Sequence, residues 1–101
     1  MKILKLGSRK IKVYFSDKKL LKSLKKRKEG KYVHGSSDKE TDEIFIRSSL
    51  PLELRRICFW HELNHLLYDF LDILGIESSA EISARYVDEV LTRNKWVKEM
   101  Y

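Results

Sequence analysis

The 101 residues, 43% hydrophobic and 11% aromatic, suffice for one domain with a real core and leave no room for a second domain. The net charge of +6 is uneven: residues 1–49 carry 15 Lys/Arg against 6 Asp/Glu, and residues 50–101 carry 6 against 9, so the acidic half is the one suited to hold a cation. A single cysteine, Cys58, excludes an intramolecular disulfide, and no leader-like stretch or run approaching about 20 apolar residues occurs, which predicts a soluble, cytoplasmic protein without a membrane partner.

In chain order, Lys2–Leu6 and Lys10–Phe15 alternate apolar and charged residues around Gly7-Ser8-Arg9, the pattern of a β-hairpin whose turn uses the positive φ open to glycine. Ser16-Asp17 reads as a helix start; Leu20, Leu21 and Leu24 recur at helical spacing among lysines, and Gly30 ends the segment. A strand is expected over Lys31–Gly35, a polar turn over Ser36–Asp42 and a strand over Glu43–Arg47. Ser48-Ser49 is a helix N-cap candidate, with Pro51 in the first turn, where its missing N–H costs nothing. The helical pattern then runs from Leu52 to about Leu74, with Gly75 as its stop, and a last helix from near Ser78 to about Lys98.

Inside the long helix stands His61-Glu62-Leu63-Asn64-His65, an H-E-x-x-H motif. Residues four apart share a helix face, so the two imidazoles can converge on one tetrahedral Zn2+, while Glu62 points beside the metal as a general base for a water. Leu63, Leu66, Leu67, Phe70 and Leu74 fall on the opposite side, so the histidines also fit an ordinary polar helix face. A catalytic zinc needs a third protein ligand and an open position. Glu81 on the second helix can fold back across Gly75; Glu77 in the connecting loop and Asp69 and Asp72 on the histidine face compete with it. Ser78-Ser79-Ala80-Glu81 also has the form of a capping box.

H-E-x-x-H followed by a Glu on a second helix resembles the gluzincin zinc peptidases, and at this length the chain looks like the minigluzincins, single-domain minimal relatives. The resemblance rests on His61, Glu62, His65 and Glu81 and on the order hairpin, helix, strand, active-site helix, Glu-bearing helix. It implies an α+β domain with a small, mostly antiparallel sheet packed on the active-site helix and the C-terminal helix, and a zinc metalloendopeptidase activity. In many gluzincins an Asp four residues after the ligand Glu supports a bound His; here that position is Arg85, and Asp88 is available one turn on. The resemblance also implies that a peptide or protein substrate binds in extended form along Glu43–Arg47 by strand addition. For an oxyanion donor, Tyr68, Tyr86 and His34 are candidates, Tyr68 being favoured because it lies three residues after His65 on the ligand face.

Residues 94–101, with Trp96, Val97, Met100 and Tyr101, carry apolar character. They are expected either to cover the cleft as a latency device, with Glu99 or the terminal carboxylate reaching the metal, or to pack on their own domain or on a second copy as a dimer. Two readings rival the peptidase. Lys18 to Lys31 holds 8 basic residues in 14 and could meet nucleic-acid phosphates, although no aromatic residue interleaves the charges. The site could also be a zinc-stabilised interaction module without catalysis, which Glu62 would discriminate.

Overall fold

The structure, a computed structural model, describes residues 1–26, 34–73 and 79–101 and, within these, the side chains of all but 26, 68–73 and 79–85. Strands β1 (Lys2–Leu6) and β2 (Arg9–Phe15) form the expected hairpin in register Leu4↔Ile11. Gly7, the first residue of the turn, has φ +58, the position and sign that a type II′ turn asks of glycine. Helix α1 (Asp17–Lys26) follows, and Ser16 caps it, its Oγ accepting from Lys19 N–H at 3.2 Å.

Strands β3 (Gly35–Asp38) and β4 (Glu43–Ile46) complete one sheet in the order β1-β2-β4-β3. The turn between them ends on Asp42, a non-glycine residue at φ +54, whose carboxylate receives the Arg9 guanidinium. Helices α2 (Leu52–Ile73), α3 (Ser79–Arg93) and α4 (Lys95–Lys98) follow. Among the described residues no helix is long and apolar enough to cross a membrane.

The α+β class is as expected, but the sheet is mixed rather than mostly antiparallel. β2 and β4 pair in parallel, because α1 and then β3, which runs opposite to β4, stand between them in the chain, and the turn from β3 into β4 restores the direction of β2. Three further expectations are corrected. The stretch expected as a polar turn begins with strand β3, held by its ladder to β4 and not by the β propensity of Gly-Ser-Ser-Asp. Ser48 and Ser49 do not cap α2; both backbone N–H groups and the Ser48 hydroxyl donate to Asp17 Oδ1, while Pro51 supplies the first helical carbonyl, to Arg55 N–H. The last helix is broken at Asn94 instead of running through to Lys98. Of the expected strand over Lys31–Gly35, residues 31–33 lie outside the described residues, as do the Gly30 and Gly75 stops; His34 forms a bend and Gly35 opens β3.

The two sheet faces bury different partners. Leu4, Ile11, Val13, Ile44 and Ile46 face α2 and α3, meeting Phe59, Leu63, Leu67 and Val90 in the main core. Tyr14 and Phe45 point the other way, under Leu20 and Leu24 of α1. Fully burying each such side chain contributes about 1.5–3 kcal/mol.

The outer edge of β1 is closed by side chains from the C-terminal region. Asn94 Oδ1 accepts from Lys5 N–H at 2.7 Å and Asn94 Nδ2 donates to Lys5 C=O at 2.9 Å, so one buried amide does what a neighbouring strand would do. Trp96 Nε1 donates to Ile3 C=O at 2.9 Å, and Glu89 accepts from Gly7 N–H at 2.8 Å. Residues 94–101 thus dock on their own domain. Val97 is fully buried, Trp96 packs edge-on against Phe59 and Phe15, and Arg56 Nη1 holds the Met100 carbonyl at 2.7 Å.

Candidate metal centre

Helix α2 positions the motif through its own amphipathicity. Phe59, Leu63, Leu66 and Leu67 are buried in the core, which turns His61 and His65 outward on the exposed face. There the two rings stand edge to face, centroids 4.5 Å apart, with Nε2 of His65 3.0 Å from Nε2 of His61. At that separation the two nitrogens either share one proton or present both lone pairs to one cation. Two nitrogens each about 2.0–2.1 Å from a tetrahedral zinc are about 3.3 Å apart, so the observed pair fits the metal with a small opening of the rings.

Glu62 behaves differently from its neighbours. It is buried to 8% exposure, and its side chain runs against β3: a Cβ built on Gly35 would stand 3.1 Å from Glu62 Cγ and 3.7 Å from its Cδ. Gly35 therefore leaves the room that the Glu62 side chain occupies between helix and strand, one residue along α2 from His61. The Glu62 charge is also felt at Cys58, one helical turn earlier; burial first, then this charge, pushes the Cys58 thiol up and keeps it protonated.

On the other flank of the pair, Tyr86 of α3 donates its hydroxyl to Asn64 Oδ1, and its ring lies 6.4 Å from that of Trp60. Of the two oxyanion candidates whose side chains are described, Tyr86 and His34, Tyr86 is the one brought against the motif. His34 is exposed just ahead of β3, its carbonyl accepting from Arg47 N–H. The side chain of Tyr68 lies outside the described residues, as do those of Glu81, Asp69, Asp72 and Arg85, and Glu77 altogether. The backbone of Glu81 belongs to the first turn of α3. Asp88 is exposed, and its carboxylate hydrogen-bonds to neither histidine.

Among the described residues no group of three or more His, Cys, Asp or Glu side chains converges as a metal site, so the pair His61–His65 stands as two donors. No hydrogen bond or ring contact of residues 94–101 among the described residues reaches either histidine; their contacts end at Trp60, whose Nε1 donates to the Tyr101 hydroxyl. β4 is flanked by β2 and β3, so Glu43–Ile46 is an inner strand and not an edge; among the described residues β3, which carries Gly35, comes last in the strand order. Reasoning from the sequence missed Gly35, and no local signal marks it, since its role is a close approach across elements.

Comparison with known proteins found no matching family model, no matching curated protein and no matching solved structure.

Proposed function

We propose that this protein is a zinc-dependent peptidase in which His61 and His65 hold the metal, Glu81 completes the set, and Glu62 moves the proton. The observation that carries this reading is the 3.0 Å approach of two Nε2 atoms on the helix whose intervening residue Glu62 is buried against β3. A bound zinc would supply acidification of a water and polarisation of the scissile carbonyl. Glu62, braced by Gly35, takes the proton from the attacking water and passes it to the departing amine. The Tyr86 hydroxyl, once released from Asn64, is within the motif's own neighbourhood to donate to the oxygen that gains charge. An extended peptide binds beside Glu62 without adding along Glu43–Arg47, because β2 and β3 already flank that strand.

The test is zinc content and peptide turnover measured together. Wild-type protein should bind about one zinc per chain, His65→Ala should lose it, and Glu62→Ala should keep it while losing cleavage of a mixed peptide library by at least about a hundredfold. Zinc retained by Glu62→Ala, with no cleavage by either protein and a large loss of stability on chelation, would instead favour a metal-stabilised interaction module. No zinc in any form would refute both.

A further inference from the structure

We propose that a second site, a cleft bounded by β1, β2, the first turn of α2 and α4, binds an amphipathic carboxylate, its head group held by Arg55 and Lys2 and its body by Phe15, Trp96, Leu52 and Met100. The cleft is a shallow, solvent-open groove of about 270 Å³, just under the range of small-molecule sites, which suits one side-chain-sized acid better than a cofactor.

Arg55 is the reason for an anion. Its side chain lines the cleft, its Nε is wholly covered, and among the described residues that donor has no hydrogen-bond partner. Buried donors in folded proteins are nearly always paired; with its Nε covered and unsatisfied and no hydrogen bond from its side chain to a described residue, the Arg55 guanidinium keeps its charge available to an anion that meets its exposed end in the cleft. Its neighbour Arg56 shows the contrast: that guanidinium is spent on the Met100 carbonyl and on the Tyr101 ring. Lys2 adds a second cation, and neither it nor Arg55 forms an ion pair with a described residue. Glu99 also lines the cleft and offsets one of these charges, leaving one net positive charge and selecting a monoanion over a phosphate.

The walls supply the second half of the specificity. Trp96 is fixed by its hydrogen bond to Ile3 and by edge-on contacts with Phe15 and Phe59, so an aromatic or branched body meets a rigid surface and little side-chain entropy is lost on binding. Arg55 lies six residues before His61, about 9 Å along the helix axis, and the two sites share no residue. The proposal therefore stands independently of the metal.

The experiment titrates ¹⁵N-labelled full-length protein with 3-phenylpropanoate and, separately, with the uncharged 3-phenylpropanol, following the Trp96 indole N–H resonance assigned with Trp96→Phe. A saturable shift is expected with the acid, at least tenfold weaker binding of the alcohol, a comparable loss in Arg55→Gln or Lys2→Gln, and tighter binding in Glu99→Gln. Displacement of the acid by a blocked peptide ending in a phenylalanine carboxylate, and not by its amide, would assign the head group to a chain terminus; resistance to that peptide would assign it to a free acid. Equal binding of acid and alcohol, no saturable shift, or unchanged affinity in both Arg55→Gln and Lys2→Gln with native circular dichroism would overturn the proposal.

Discussion

Replacing Asn94 by alanine should be the most damaging single-side-chain change outside the apolar core. The side chain is 3% exposed and makes three hydrogen bonds: from Lys5 N–H at 2.7 Å, to Lys5 C=O at 2.9 Å and to Val90 C=O at 3.0 Å. Each is worth about 1 kcal/mol net, and the groups left behind at the partly buried edge of β1 are poorly placed to recover water, so the loss is about 3 kcal/mol. For a domain of this length that corresponds to roughly 15 °C in Tm. Asn94→Asp should be worse near neutrality, because it keeps the acceptor for Lys5 N–H but sets a carboxylate oxygen against two carbonyls. Part of that deficit should return in acid as the carboxylate protonates. Thermal unfolding followed by far-ultraviolet circular dichroism, with gel filtration to detect pairing through the reopened β1 edge, measures both. An Asn94→Ala protein melting within about 3 °C of wild type would refute the view that this amide substitutes for a strand.

Gly35→Ala should leave zinc binding intact while lowering peptide turnover by about tenfold or more, since its Cβ must displace Glu62 Cγ from 3.1 Å and meets the Phe45 carbonyl at 3.2 Å; parallel metal titration and kinetics would show the split, and unchanged turnover would count against a role for that close approach. Tyr86→Phe keeps the ring beside Trp60 and removes the hydroxyl at Asn64; a fall in kcat with little change in metal affinity is expected, and equal kcat would remove Tyr86 from the chemistry. Acid should destabilise the fold through Asp17 and Glu89. The Ser49 hydroxyl first, then the N–H groups of Ser48 and Ser49, lower the Asp17 carboxyl, and Gly7 N–H first, then Arg93, lowers that of Glu89. Both folded pKa values lie below the unfolded ones, so this stability is complete above the ordinary carboxylate range near about 4 and is lost as pH falls through the folded values. Urea midpoints measured from pH 6 to pH 2.5 should decline less steeply in Asp17→Asn and Glu89→Gln than in wild type.

What the sequence determined by itself is what depends on neighbours along the chain. The hairpin follows from period-two alternation around Gly7, the start of α1 from Ser16-Asp17, and the turning outward of His61 and His65 from leucines at helical spacing on the far side of α2. The motif's geometry is local too, because four residues of α-helix fix which imidazoles can meet. Tertiary structure alone decided the rest. Gly-Ser-Ser-Asp carries no strand signal and becomes β3 through its ladder to β4; Ser48 and Ser49 turn to Asp17, about thirty positions away, instead of capping the helix beside them. Asn94 breaks the last helix in order to bond the backbone of Lys5, 89 positions earlier. The parallel pairing of β2 with β4, the room that Gly35 leaves for Glu62 and the cleft around Arg55 are likewise contacts between segments remote in sequence. Their energies depend on distances that no local pattern encodes, and they become visible only when the elements are packed together.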